Sequence, residues 1–471
     1  METKSILPPL PRPLTRPEIV AGTAVCLGIG TFIWLAQSAW LMAAVLVGGI
    51  GLVALWYGAE YIPLVLFLQL AFSVEIPLTG HHRLTVPTEV LIPLLFLMFV
   101  YSVLRDGKIT YRPSALNIPV VLFYFLMVAT LSYTLEPVST LKALIRDTGY
   151  IGAGYFLIPK YIQSEARLRQ TAYAALGIHT VLVLYGFLTQ IIGGLHIYGD
   201  IASPFFIEHC IYAAFVTITF SFLLAFFLDQ KSGPLRYGLG ILTGIFGLAI
   251  VLTFVRAAWF SVLFLLLFYL YHFRKRKSAV DLIVLLLLAT ILGLVLSVTT
   301  DLGALFLQRI DTVTDLKYVA NYDRIDRWTA AWNMWKDHRY LGVGWGAYPD
   351  LYFSYQVHRD AYSSALRMGA HNIYLEIMAE TGLVGIMLYL IMLYVFYRRA
   401  FLLQRTASGF QRIFILGMQG AMLTYLIHAF VNNLGPSDKI GLTFWFLLGL
   451  VPTLEALQKS QRNTMPPAGR P

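Results

Sequence analysis

The chain has 471 residues, of which 58% are hydrophobic and only 13% charged. Soluble domains carry about 25% charged residues, so the composition excludes a string of soluble domains and points to a bilayer as the solvent. The net charge of +10 is accounted for by the basic loops of a membrane protein, and no nucleic-acid partner is expected.

A bilayer core needs about 20 apolar residues per helix. After a polar, proline-rich opening, apolar runs fall at 19–36, 39–57, 61–74, 87–104, 116–134, 147–163, 170–192, 207–228, 236–254, 257–272, 279–299, 372–397, 411–431 and 438–457. The first reads as a retained span, not a cleaved signal. The runs at 61–74 and 257–272 are short enough to be tilted or re-entrant, so 12–14 spans are predicted. The two cysteines, Cys26 and Cys210, both fall in apolar runs, and no disulfide framework is indicated. The fold class is an all-α polytopic membrane protein.

Lys and Arg set the orientation. With both termini inside, 22 of the 35 basic residues fall in inside segments and 5 in short outer loops (Arg83, Lys142, Arg146, Arg256 and Lys439). The other 8 lie in one long outer loop, about Thr300 to Ala370, and long loops translocate regardless of charge. Within that loop, residues 322–338 have helical spacing, with Ile325, Trp328, Trp332 and Trp335 on one face and Arg324, Arg327, Lys336 and Asp337 off it. This predicts an amphipathic helix on the membrane surface. The glycine-rich turn Gly342-Val343-Gly344-Trp345-Gly346 follows. The division is 1–299 N-terminal spans, 300–370 long loop, 371–457 C-terminal spans and 458–471 tail, as one integrated membrane domain.

Several residues could carry chemistry. Arg256 sits between two apolar runs at the outer boundary, where an arginine is costly and marks either a functional site or a snorkelling anchor. Lys142 and Arg146 are i, i+4 on one helix face, with Asp147 able to neutralise Arg146. His371 opens the span that leaves the long loop and titrates near neutrality, as a base would; a helix-start or interface role is the alternative. Asn372 suits a helix cap. Glu376 and Glu380, one turn apart inside an apolar run, need partners, for which the arginines are the candidates. Arg327 suits either the site or lipid headgroups. The loop's Trp and Tyr residues read mostly as an interfacial belt. His179, Glu208, His209, His428, Asn432 and Asn433 read as contacts between helices. No motif indicates a bound metal or cofactor.

The stretch from Arg327 and Trp332 through His338-Arg339-Tyr340-Leu341-Gly342-Val343-Gly344, then His371-Asn372 with Gly382 and Gly385 eleven and fourteen residues after the histidine, resembles the O-antigen ligase / O-antigen polymerase superfamily. That family's Ser-Arg-Gly-Ala-Trp element corresponds to Val255-Arg256-Ala257-Ala258-Trp259, which keeps arginine and tryptophan but not serine or the first glycine. The resemblance implies a bacterial inner-membrane protein working at the periplasmic face. It would be an inverting glycosyltransferase that needs no metal. Its donor would be a glycan on undecaprenyl pyrophosphate, and its acceptor lipid A-core in a ligase or another lipid-linked glycan in a polymerase. Arg256, Arg146 and Arg327 would then bind the pyrophosphate and His371 would act as base, oriented by Glu376 or Glu380, with Lys142 and Asn372 supporting. The short loops at 75–86 and 193–206 favour the ligase. A transporter or flippase for a lipid-linked sugar is the competing reading from another class, though no paired broken halves are seen.

Overall fold

The computed structural model describes residues 62–77, 83–86, 88–106, 112–192, 201–206, 208–274, 280, 319–357 and 368–464. The expected spans at 19–36, 39–57 and 279–299 lie outside the described residues. Helix α1 (Ile62–Gln69) ends in a 3-10 turn and leads into a hairpin of β1 (Val74–Pro77) and β2 (Arg83–Val86), with Val74 opposite Val86. Then come α2 (Thr88–Asp106), α3 (Asn117–Ala129), α4 (Pro137–Tyr150), α5 (Glu165–Ile192), α6 (His209–Asp229), α7 (Pro234–Leu252) and α8 (Arg256–Phe273). The long loop supplies α9 (Val319–Asp337) and α10 (Tyr348–Tyr355), and the chain closes with α11 (Ile373–Thr406), α12 (Gly409–His428) and α13 (Asp438–Thr464).

Eight of the described helices (α2, α5, α6, α7, α8, α11, α12 and α13) are long and apolar enough to cross a membrane. This is the all-α polytopic architecture the composition demands. The run at 257–272 is a full 18-residue helix, α8, where a tilted or re-entrant segment was an alternative. Helices α6, α12 and α13 form the buried centre, with Ala213, Ala214, Val216, Ile415, Met418 and Leu448 almost wholly enclosed. The outer helices turn apolar side chains outward instead: Leu97, Tyr101 and Leu104 on α2, Ile118 and Phe125 on α3. Such a surface is stable only against lipid.

Local chemistry fixes the joints. Pro137 and Pro234 occupy the first turns of α4 and α7, where a missing N–H costs nothing. Helix α4 runs on through a π segment, Ile151–Leu157, to Lys160. Its Gly154 lets α13 approach so closely that a Cβ there would stand 3.1 Å from the Leu442 carbonyl oxygen and the Phe446 nitrogen.

Chain connections sort the residues by end. The α7–α8 and α12–α13 turns and the start of α11 share one end, where the Ile373 N–H donates to the Ala429 carbonyl (3.0 Å). At the other end Arg399 pairs with Glu455 on α13, and Gln411 on α12 donates to Glu165 on α5 (3.1 Å). That second end holds Arg169, Arg399, Arg405, Arg412, Lys459 and Arg462, all assigned inside from charge.

Candidate functional site

At the first end the long loop folds into a small core of its own. Ala330, Ala331 and Met334 of α9 pack with Val343, Ala347, Tyr348 and Tyr352 and with Ala370 and Ala379 beside and within α11. Helix α9 therefore points Asp323, Asp326, Arg327, Ala330 and Met334 inward, while Ile325 and Trp332 are each 41% exposed. The amphipathic helix is present, but its inward stripe is the charged and small one. Ile325 and Trp332 look outward, while Trp328 and Trp335 are partly buried with their indole nitrogens enclosed.

Arg327 is the consequence. Its side chain is 3% exposed. One terminal nitrogen, Nη2, pairs with Asp323 and lies 3.4 Å from the Met368 sulfur. Its Nε and Nη1 are buried without a hydrogen-bond partner among the described residues. A buried unmade donor is expensive, more so on a charged group. The surrounding structure holds the helix in this position: the Tyr348 hydroxyl donates to the Arg327 carbonyl (2.8 Å), and the Tyr352 hydroxyl (2.6 Å) and Val357 N–H (3.0 Å) donate to Asp326.

The glycine turn clasps a break in α11. Gly382 sits at φ 65°, ψ −162°, and a Cβ there would meet the Tyr340 carbonyl carbon at 2.2 Å. Gly342, at φ 72°, presses equally on Glu380. Across this contact the Val343 N–H donates to the Ala379 carbonyl and the Gly344 N–H to that of Glu380 (3.0 Å each), while the Leu383 N–H donates to Arg339 (2.8 Å). Only glycine fits at two backbones so close with φ positive. On the turn's other side the Trp345 N–H donates to the Thr130 hydroxyl (3.1 Å) and its indole to Asp147 (2.7 Å). The turn thus ties α4 to α11.

His371 precedes α11 at φ 52°, a left-handed conformation that holds the ring at the mouth of the helix. Burial first, then the charges of Arg327 and Arg324, lower its pKa to about 3, with Asp323 opposing. Asn372 is the cap the sequence suggested: its side-chain oxygen accepts from the Tyr374 (3.0 Å) and Leu375 (3.1 Å) N–H groups.

The two glutamates differ from expectation. Glu376 accepts from the Ala370 N–H (2.7 Å) and from Asn433 (2.8 and 2.9 Å). Glu380 accepts from the Tyr348 N–H (3.1 Å). These bonds are to backbone amides and an asparagine; the arginines act on both carboxylates only as longer-range charges. Neither glutamate bonds to the His371 ring among the described residues. Their bonds instead brace the loop against α11 and α12.

Arg146 donates from Nε and Nη2 to the two carboxylate oxygens of Asp147 (3.0 Å each). Burial opposes its charge, but Asp147 prevails and raises its pKa. Arg256 opens α8 and donates to the Asn321 side chain of α9 (2.9 Å), which ties it to the loop helix. Lys142 is exposed on α4 and stands away from this cluster. The residue that spacing undervalued is Arg324. Burial lowers its pKa, with the like charges of Arg256 and Arg327 adding to the effect. It therefore links the two candidate arginines and His371 in one field. Of the residues read as contacts between helices, His179 bonds to Thr219 (2.7 Å) and Asn433 to Glu376, whereas neither ring nitrogen of His428 has a partner among the described residues.

The arrangement defines a class: a multi-pass membrane protein with a cluster of arginines and one histidine at one end of its bundle, among the described residues. Residues 240–390, which span α8, α9, the glycine turn and the first half of α11, match the family model described as O-antigen ligase. This match over about a third of the chain supports the O-antigen ligase/polymerase superfamily that the motifs led one to expect. No curated protein matches the chain closely enough to count as a relative.

Proposed function

We propose that the protein is an O-antigen ligase acting at the periplasmic face of the bacterial inner membrane. It moves a glycan from undecaprenyl pyrophosphate to a hydroxyl of lipid A-core, with inversion. The observation that carries this reading is Arg327, a buried guanidinium with two donors unspent. A lipid pyrophosphate is a leaving group that must be stabilised as charge develops on it. Preorganised arginine donors in a site of low dielectric do this well. Arg327 and Arg256, with Arg324 beside them, are the groups we assign to it. Arg146, already paired with Asp147, is better suited to the rim.

In the reaction the acceptor oxygen attacks the anomeric carbon from the face opposite the pyrophosphate. The new C–O bond forms as the bond to phosphate breaks and its electron pair leaves with the pyrophosphate. His371 takes the hydroxyl proton. Burial, reinforced by arginine charge, keeps the free imidazole neutral and so able to accept a proton, although weakly basic. An incoming pyrophosphate cancels part of that charge and raises the basicity of the histidine when it is needed. Helix α9, anchored by Tyr348 and Tyr352, forms the cover that limits access of water to the reacting carbon.

The ligase is favoured over a polymerase by the small outer hairpin, β1–β2, where a polymerase would use a second sizeable loop. The test is reconstitution with an undecaprenyl-pyrophosphate glycan and two acceptors, lipid A-core and a second lipid-linked glycan. Growth of lipid A-core supports the ligase. Growth of the lipid-linked chain alone indicates the polymerase. Movement of label across the bilayer with no new glycosidic bond overturns both in favour of a transporter.

A further inference from the structure

Arg146 and Asp147 are neighbours in sequence, and on a helix such neighbours do not face each other. Yet Nε and Nη2 of Arg146 both donate to the Asp147 carboxylate (3.0 Å each). Helix geometry alone does not hold a pair of this kind, so contacts from elsewhere in the fold must set it. There are two, one on each partner.

The acid is held from the long loop. The Trp345 indole donates to Oδ2 of Asp147 (2.7 Å), the same oxygen that accepts from Nη2 of Arg146. Trp345 is itself fixed: its ring meets Phe123 edge-on with centroids 5.8 Å apart, and its backbone N–H donates to the Thr130 hydroxyl (3.1 Å). The turn that carries it lies directly on α4, because the Leu135 N–H donates to the Val343 carbonyl (3.1 Å) and a Cβ at Gly346 would stand 2.5 Å from the Ala143 side chain. The arginine is held from α13. Its guanidinium lies 6.0 Å from the centre of the buried Tyr150 ring, and the Tyr150 hydroxyl donates to Asp438.

The consequence is a directed arginine. Asp147 is buried, while the Arg146 side chain is 31% exposed. Pairing through Nε and Nη2 leaves the third nitrogen, Nη1, for a ligand. The same folded loop carries Arg327, since Ala330, Ala331 and Met334 of α9 share one core with Val343 and Ala347 of the turn. Docking of that loop therefore sets Arg327 directly and Arg146 through the bond from Trp345 to Asp147.

We propose that Trp345 and Asp147 are positioning residues that orient Arg146 toward the donor pyrophosphate, so that one loop aligns both arginines; this rests on the reading of Arg146 as a donor-binding group. Trp345→Phe keeps the backbone N–H and an aromatic ring against Phe123 but loses the indole donor. Single-turnover transfer by the purified full chain, followed over a range of undecaprenyl-pyrophosphate glycan concentrations, reads half-saturation by the donor separately from the rate at saturation. Thermal unfolding is followed in the same micelles. Arg146→Gln should raise the donor half-saturation about tenfold. Trp345→Phe and Asp147→Asn should each raise it about fivefold in the parent and have no further effect once Arg146 is Gln, because partners in one network are not additive. Half-saturation by lipid A-core should stay at the parental value in Trp345→Phe. Trp345→Phe that lowers Tm at parental donor half-saturation marks a brace and overturns the proposal. So do effects of Trp345→Phe and Arg146→Gln that multiply in the double variant. A loss in Arg146→Gln with none in Trp345→Phe or Asp147→Asn keeps Arg146 in the donor site and overturns the positioning alone. Parental half-saturation in Arg146→Gln removes Arg146 from the donor site, and the proposal falls with it.

Discussion

Replacing Arg327 by lysine separates charge from geometry at the proposed pyrophosphate site. The guanidinium spends Nη2 on Asp323 and keeps Nε and Nη1 in reserve. Lysine retains the positive charge for Asp323 but replaces a rigid fork by a single nitrogen. Loss of one preorganised donor to a developing negative charge costs about 2.7–4 kcal/mol, or 10²–10³ in rate. Arg327→Lys should therefore lose about 10²–10³ in transfer with its thermal stability nearly intact. Arg327→Ala, by contrast, strands the carboxylate of Asp323, which is 7% exposed, and breaking such a buried pair costs about 3–5 kcal/mol. It should lose stability as well as activity. The assay is transfer to a defined acceptor by purified protein, with thermal unfolding followed in the same micelles. Arg327→Lys transferring within about threefold of the parent would refute the assignment, because an arginine that only braces α9 is replaceable by its charge.

Three further outcomes follow from the same geometry. Arg324 is one of the charges that depress His371, so Arg324→Gln should raise the imidazole pKa and move the acid limb of kcat/KM to higher pH; an unmoved limb, or one moved to lower pH, contradicts the shared field. Gly382→Ala puts a Cβ 2.2 Å from the Tyr340 backbone; its φ 65°, ψ −162° conformation, open essentially to glycine alone, costs any other residue about 1–3 kcal/mol, so a fall in Tm and in the yield of folded protein is expected, and an unchanged Tm contradicts the clasp. Asn372→Ala removes the cap of α11 and should cost about 1 kcal/mol of stability, with Asn372→Asp close to the parent in the same thermal melt.

The apolar helices, the gathering of basic residues at one end of the bundle and the glycine turn were legible because each rests on a local rule: apolar run length, basic residues at helix ends, and φ values only glycine adopts freely. Asn372 was legible for the same reason, since a cap is a matter of two or three residues. What spacing alone did not fix was the direction in which α9 faces. The periodicity of Ile325, Trp328, Trp332 and Trp335 was plain, but it does not say whether an apolar stripe faces a core or lipid. The complementary stripe, Asp323, Asp326, Arg327, Ala330 and Met334, was equally periodic, and its pairing of acids with small residues is the signal that it is the buried one. Glu376 and Glu380 were read as partners of arginine because charge pairs with charge in sequence reasoning. The fold instead brings them backbone amides and Asn433 from distant positions, which no local pattern encodes. Lys142 and Arg146 share a helix, but the docking of α4 leaves one half-buried against Asp147 and the other exposed.

The central claim is that His371 accepts the acceptor's proton beside an arginine-bound pyrophosphate. His371 lies at φ 52°, which asparagine tolerates better than most residues, so His371→Asn removes the base while keeping the backbone. Single-turnover transfer with donor prebound to this variant is the most direct measurement. The account predicts donor binding close to the parent and a transfer step slower by about 10²–10⁴. Transfer at the parental rate from the prebound donor would contradict it.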